Sequence, residues 1–381
     1  MLSKITICRP EELGEADRNR WSNAQSVQPV WNSPFLHPEF ARIVARRRED
    51  VRILIAEDHL TNRAWFAFHR LKNGLARPVG APVSDHQGMV SEPRFSEDLT
   101  EVLFEAGIGA LPFSSWSSPT KELEAFTTHS EDSHIVDLSD GPDQYFAKQQ
   151  QQHHKYFKKM RQRARGVIRD YSTAELIADV LDQDLLALLF QWKHDQHART
   201  HSLDVLHIPW IKALLENAYA STDPDFRAVL FGYRIGGEWA AAELGLLAGG
   251  VYHSWIAAYD EKYSRASPGL LLLHGVIEQA DKLGIKQIDL GRGHSHYKKY
   301  YASSLLPLYS GCLIGTGRAA RHRKLVFSLC DGFAKLPLGK LARLPGRLDG
   351  SLEYIGACHP ARGDQFRAFG GAMARVFKNQ P

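Results

Sequence analysis

The chain has 381 residues, 44% of them apolar, enough for two domains with separate cores, and 47 basic against 43 acidic side chains leave a net charge of only +4. So small an excess excludes a uniformly basic nucleic-acid binder. Cys8, Cys312, Cys330 and Cys358 stand far apart with no C-x-x-C pair, which excludes a disulfide framework and favours a reducing compartment.

No apolar core of a signal peptide follows Met1, and no apolar run reaches the roughly 18 residues needed to span a bilayer. A cytoplasmic protein is expected, at most peripheral to the inner membrane. Residues 5–139 read as a first unit: a helix over 34–46, strands over 51–57 and 64–71 around the turn His59-Leu60-Thr61-Asn62, a turn-rich loop at 80–88, a helix over 97–106 and a strand over 133–138. The turn Ser139-Asp140-Gly141-Pro142 marks a boundary, giving an N-terminal domain over 1–142.

The helical period predicts one long helix over 145–169, with Tyr156, Phe157, Met160, Ala164 and Val167 on one face. The other face carries Lys155, Lys158, Lys159, Arg161, Arg163, Arg165 and Arg169, which suits either an anion-binding surface or, more commonly, a solvated face. Helices over 184–199 and 210–219 follow. Strands over 228–235, 238–247 and 251–259 are separated by Gly236-Gly237 and Ala248-Gly249-Gly250, the signature of an antiparallel meander.

The stretch 267–301 is the densest in signals. Ser267 reads as an N-cap and Pro268 as a first helical residue. Leu270 to Leu273, Val276, Ile277, Ala280 and Leu283 carry the apolar face, and Gly284 is the expected left-handed stop. A short strand over 285–290 then delivers Asp289 to the turn Gly291-Arg292-Gly293. The second domain is placed at 143–317 and a basic extension at 318–381.

Several of these segments together resemble a known family. Trp192-Lys193-His194-Asp195-Gln196-His197-Ala198-Arg199-Thr200, Trp255 with Ala258-Tyr259-Asp260, Ser267-Pro268-Gly269, and Asp289-Leu290-Gly291-Arg292-Gly293 with Tyr297-Lys298 resemble the CelD-type, BioF2-like acetyltransferases of the GNAT superfamily. That family is similar to the FemAB-type aminoacyl transferases. Ser84-Asp85-His86-Gln87-Gly88 resembles a further family segment in the first unit. The resemblance implies tandem GNAT-like α/β domains, a mostly antiparallel sheet flanked by helices, with the first domain degenerate. It implies acetyl-CoA or another acyl-CoA as co-substrate, and a small-molecule or saccharide acceptor bearing an amine or hydroxyl. It also implies substrate contact for Trp192, Lys193, Arg199, Trp255, Arg292 and Lys298, and His294 and His296 are added as substrate-contact candidates by their place in the same turn. One departure bears on the acceptor: His294-Ser295-His296 stands where the family commonly has an acidic pair.

Acyl transfer needs a base, a polarised carbonyl and reprotonation of the thiolate. Glu243, mid-strand among alanines, is the candidate base if it faces inward; strict alternation would equally place it on a solvated face. His253 is the second candidate base, Asp289 a group to orient it, and Tyr297 a donor to the leaving thiolate or a packing residue. Tyr263, Ser264, Arg265, Ala266, Ser267 and Gly269 precede or open a helix, where amides and dipole favour the donor's phosphates. His194, His197 and His201 have zinc-like spacing but lack an H-E-x-x-H or cysteine partner, so no metal is expected. The tail interleaves Arg318, Arg321, Arg323 and Lys324 with Val326, Phe327, Leu329 and Phe333, an amphipathic pattern suited to packing or to an acidic membrane face. Pro337 and Pro345 break it. Two rival readings stay open: an aminoacyl-tRNA-dependent transferase, and a non-catalytic adaptor in a polysaccharide synthase complex.

Overall fold

The computed structural model describes residues 2–117, 123–200, 202–293, 295–337, 339–361 and 363–365. The first elements are β1 (Leu2–Cys8), α1 (Glu15–Val27), α2 (Pro38–Ala45), β2 (Val51–Asp58), β3 (Arg63–Arg70), β4 (Ala76–Pro78), β5 (Val90–Ser91), α3 (Leu99–Glu105), β6 (Ala110–Trp116) and β7 (Thr127–Asp137). Next come α4 (Pro142–Gln152), α5 (His154–Tyr171), β8 (Ala174–Ile177), α6 (Gln183–Thr200), α7 (Pro209–Tyr219), β9 (Phe226–Ile235), β10 (Glu238–Ala248) and β11 (Val251–Tyr259). The last are α8 (Pro268–Glu278), β12 (Gln287–Asp289), α9 (Lys298–Tyr301), β13 (Ser304–Ile314), α10 (Gly317–Ala334) and α11 (Leu344–Cys358). The fold is mixed α/β with antiparallel-rich sheets flanked by helices.

The chain forms two compact units, and neither is continuous. One takes residues up to 17, 44–129 and 309 onward; the other takes 18–43 and 130–308. The turn at residues 139–142, expected as a boundary, therefore lies inside the second unit.

In the first unit β1, β2, β3 and β4 are antiparallel neighbours over a core of Phe66, Phe68, Leu103, Trp116 and Leu313. The segment around Gln87 is a clamp on β6. Its side-chain carbonyl accepts from the Ser114 amide (3.0 Å), its own amide donates to the Ser115 carbonyl (2.9 Å), and its carbonyl accepts from the Ser117 amide (2.7 Å). In the basic tail, the buried Arg323 of α10 pairs with Asp349 (2.9 Å) and Glu353 of α11, and Arg77 also binds Glu353 (2.5 Å). Pro337 follows α10, and Pro345 is tolerated as the second residue of α11, where its missing amide costs nothing. Among the described residues no helix is long and apolar enough to cross a membrane.

The second unit's sheet runs β7, β12, β11, β10, β9, β8. Its hairpins turn at Gly236-Gly237 and Gly249-Gly250, all at positive φ, as the glycine pairs predict. Among the described strands of this sheet only β11 and β12 are parallel, which requires a crossover, and α8 supplies it. On one face α4, α5 and α8 bury Tyr145, Phe157, Val167, Phe231, Leu272 and Val276. On the other lies α6, whose Leu185 sits over Gly232.

Three local expectations are corrected. The long helix is two helices broken at His153 (φ −128°, ψ 41°), a kink that helical spacing does not reveal. It lets Tyr156 stack on Tyr300 with ring centres 4.0 Å apart. Helix α8 stops at Glu278 and tightens into a 3-10 turn, Ala280–Leu283, before Gly284 closes it in the left-handed region (φ 70°). Ser267 does not cap with its hydroxyl; it adopts a left-handed conformation (φ 52°, ψ 57°), and its carbonyl accepts from the Leu270 and Leu271 amides (3.0 and 3.3 Å).

Candidate active site

Glu243 lies among Ala240, Ala241, Ala242 and Leu244 on β10 and is only 5% exposed, so the inward-facing alternative is the one realised. Burial pushes its carboxyl above the usual range. Hydrogen bonds from Tyr252 and Ser254, together with the nearby His253 and Lys193, act in the opposite direction. The Tyr252 hydroxyl donates to Glu243 Oε1 at 2.8 Å.

Gly245 makes that contact feasible. A Cβ there would stand 2.2 to 2.3 Å from the ring edge and hydroxyl of Tyr252. The absence of a side chain lets the phenol lie across the strand and reach the carboxylate two residues back.

A bulge organises the rest. Leu244 pairs with Ile256 but Gly245 with Ser254, so β11 carries one extra residue, Trp255. Alternation then puts Tyr252, Ser254, Ala257 and Tyr259 on the face of Glu243, and His253 on the opposite one. The four catalytic candidates therefore do not form one constellation. Glu243 and Tyr297 share a face; His253 and Asp289 share the other.

Tyr297 is held at about 12 by burial and by the negative field of Glu243, so it keeps its proton at neutral pH. Lys193, reaching from α6, donates to the Ala257 carbonyl (3.1 Å) directly opposite Glu243. Burial draws its ammonium below the usual lysine range, while Glu243 pulls it back. On the far face His253 is fully buried, edge-on to Phe35 (4.8 Å), with Nδ1 3.6 Å from Asp289. Asp289 accepts from Ser133 Oγ (2.5 Å) and the Gly291 amide (2.8 Å), which fixes the turn that follows β12. Trp255 also packs on Phe35 and Phe40, away from Glu243.

The ladder between β11 and β12 ends at His253 opposite Asp289. From Ser254 to Tyr259, among the described residues, no strand pairs with β11 on that side. At the end of this stretch Gly269, at the start of α8, approaches the Tyr259 ring.

The loop before α8 offers fewer free amides than the sequence suggests. The Lys262 amide binds Asp260 Oδ1, the Tyr263 amide the Asp260 carbonyl, and the Ser267 amide the Ser264 carbonyl. Tyr263 and Ala266 are buried, and the Tyr263 hydroxyl is tied to Glu238 (2.7 Å). Ser264 is half-buried, Arg265 is exposed, and Gly269 starts the helix, so the positive end of α8 and the Arg265 charge are the attractions for an anion.

Other expected contacts fall elsewhere. Trp192 is buried packing. Arg199 pairs with Glu261 of the loop at 3.0 Å, and Arg292 faces Glu131 at 3.8 Å. Lys298 is buried and donates to the Gly291 (3.0 Å) and Arg292 carbonyls, so it braces the turn instead of waiting for an acceptor. His296 is exposed against Tyr300 (5.2 Å); His294 lies outside the described residues. On the basic helix α5, Arg161 binds Gln150, Arg163 binds Met160 and Arg169 pairs with Asp170, which leaves a thinner cationic face than seven charges imply. His197 bonds Ser202 Oγ (2.6 Å) and His194 turns to Asp204; His201 lies outside the described residues. Sequence reasoning missed Tyr252, Ser254 and Gly245. The lone glycine within a β-strand pattern was the available signal.

A parallel strand pair opened beside a helix start, with a buried carboxylate on the adjacent strand, is a site suited to group transfer. Residues 158–299 match the model of the acetyltransferase (GNAT) domain, a span that holds Glu243, Tyr252, the loop before α8 and Tyr297. The match supports an acyltransferase. No curated protein matches the chain. Among solved structures, it is similar to a conserved protein of unknown function from Bacteroides thetaiotaomicron (12% identity, 81% of this chain and 99% of that one, TM-score 0.53). It is also similar to the C-terminal domain of a putative lysylphosphatidylglycerol synthetase from Agrobacterium fabrum (13% identity, 82% and 95% covered, TM-score 0.48). A third is a tandem GNAT protein from the clavulanic acid biosynthesis pathway (8% identity, 83% and 100% covered, TM-score 0.43).

Proposed function

We propose that the second unit transfers an acyl group, acetyl in the simplest case, from acyl-CoA to an amine or hydroxyl, with Glu243 as general base. The observation that carries this is Glu243 itself, a carboxylate desolvated beside the unpaired length of β11. From Tyr259, beside the start of α8, back to Ser254 is about 17 Å of strand at ~3.3 Å per residue. An extended pantetheine arm spans a comparable length. With its diphosphate at α8 and Arg265, its amides would pair along β11 and its thioester would reach Ser254 and Glu243. The acceptor's nitrogen or oxygen then loses a proton to Glu243 and forms the new C–N or C–O bond. The C–S bond breaks, and the leaving sulfur accepts a hydrogen bond from the protonated Tyr297. The CelD-type resemblance favours an acceptor on an envelope or secreted polysaccharide.

Calorimetry with acetyl-CoA tests the donor: micromolar binding is expected, and Glu243→Gln should retain it while losing turnover. Binding of charged tRNA without acetyl-CoA would transfer the case to the aminoacyl donor, and binding of neither would favour the adaptor.

We also infer that α10 in the first unit meets an anionic membrane surface. Leu325, Leu329 and Phe333 form a stripe at helical spacing, continued by Leu336 just past the helix, and all four are 45 to 60% exposed. Arg318 and Arg321 extend the same side towards the helix start, the pattern of an interfacial helix. Co-sedimentation with phosphatidylglycerol vesicles, lost in Leu329→Glu and absent with phosphatidylcholine alone, is expected; equal sedimentation of Leu329→Glu would refute it.

A further inference from the structure

The C-terminal half of α6 and the 3-10 turn Val205–His207 bring together a group that the acyl-transfer chemistry does not use. Asp204 caps that turn: its Oδ1 accepts from the Leu206 amide at 3.0 Å, which fixes the carboxylate and directs Oδ2 outward. Two imidazoles converge on that oxygen. His194 Nδ1, from α6, lies at 2.7 Å and His207 Nδ1 at 2.6 Å. The rings are 4.6 Å apart between centres and tilted 49° to one another. One nitrogen from each ring and one carboxylate oxygen all lie within 4.8 Å of each other.

The three residues line a cavity of about 450 Å³ whose wall includes Phe190, Gln191, Leu206 and Glu216. The donors therefore face a space with room for further ligands. Asp204 is the inner member, with its side chain 14% exposed, whereas His194 and His207 are 45% and 67% exposed. The two imidazoles are therefore reachable from solvent.

Two nitrogen donors and one oxygen donor are a borderline set. They suit zinc and its late first-row neighbours, while magnesium and calcium demand more oxygens. Three protein ligands also leave a fourth position open towards the cavity for water or an anionic oxygen.

We propose that His194, Asp204 and His207 form a zinc site that ties the C-terminal half of α6 to the turn that precedes α7. Zinc replaces the protons shared between the imidazoles and Asp204, leaving each ring neutral with its remaining proton on Nε2. Helix α6 is thereby pinned one residue from Lys193, which donates to the Ala257 carbonyl paired opposite Glu243. The site differs from the His194, His197, His201 set that spacing suggested, because His197 bonds Ser202 instead.

The test uses the full chain stripped with chelator and titrated with Zn²⁺ alone. One equivalent should bind and raise the thermal midpoint, and Co²⁺ should give visible d–d absorption. His207 is exposed and outside the core, so His207→Ala is expected to fold normally by circular dichroism and to lose zinc affinity by about tenfold or more. Asp204→Asn should lose it as well. Absence of zinc binding in the wild type overturns the proposal, as does undiminished one-to-one binding in folded His207→Ala.

Discussion

Replacing Gly245 by alanine adds one carbon at a position where the structure has no room for it. The new Cβ would stand 2.2 Å from Tyr252 Cζ and 2.3 Å from its Cε2 and hydroxyl, more than an ångström inside normal carbon contact. Neither partner has an easy escape. The Cβ is fixed by the backbone of a central strand, and Tyr252 is fully buried, wedged edge-on to Phe231 at 5.3 Å. Overpacking of this kind costs about 1–3 kcal/mol. Displacing the phenol also removes the hydrogen bond to buried Glu243, which adds roughly 1.5–3 kcal/mol at pH values where the carboxylate is charged. Urea unfolding at pH 8 should therefore place Gly245→Ala about 2.5–6 kcal/mol below the wild type, with turnover reduced alongside. Tyr252→Leu in the same chain relieves the overlap, so the double variant should recover part of the stability but not the turnover. Strict additivity of the two substitutions, or a Gly245→Ala enzyme with wild-type stability and rate, would show that Gly245 does not exist to admit Tyr252.

Glu243→Gln should lower turnover by about 10² to 10⁴, yet stabilise the fold at neutral pH. A carboxyl raised above 4.5 by burial favours the folded state while protonated, and that contribution is lost as pH rises through the folded pKa. The stability gain should vanish below pH 4.5; a variant less stable than wild type at pH 8 contradicts the burial argument. For the same reason the acid limb of kcat/KM should lie above the ordinary carboxylate range, and Tyr252→Phe should move it higher still. His37, stacked on Phe226, and His274 are both lowered from 6.5 to about 4 by burial. Each then contributes stability above pH 6.5 that fades as pH falls to 4, roughly 3 kcal/mol per group. His274→Gln should flatten that decline in acid unfolding curves, and an unchanged slope would refute the assignment. Arg323→Ala would strand Asp349 and leave Glu353 to Arg77 alone, and cost about 3 kcal/mol; hydrogen exchange should find α11 deprotected in that variant, whereas full protection would mean the pairs contribute nothing.

The amino-acid sequence alone determined the meander and the helix that follows it. Gly236-Gly237, Gly249-Gly250, Pro268 and Gly284 act through their own backbones, so their effect is readable without knowing any neighbour. It also singled out Glu243, since a carboxylate inside an alanine run leaves only two alternatives. Tertiary structure decided between them, and it decided what sequence periodicity could not reach. One extra residue at Trp255 shifts the phase of β11, placing His253 and Asp289 behind the sheet from Glu243 and bringing Tyr252 and Ser254 to its side. Register of that kind depends on how two strands meet, which no single strand encodes. The pairing of His194 with Asp204 and His207 has the same origin: helical spacing pointed along α6 to His197, while the return of the chain after the helix supplied the partners.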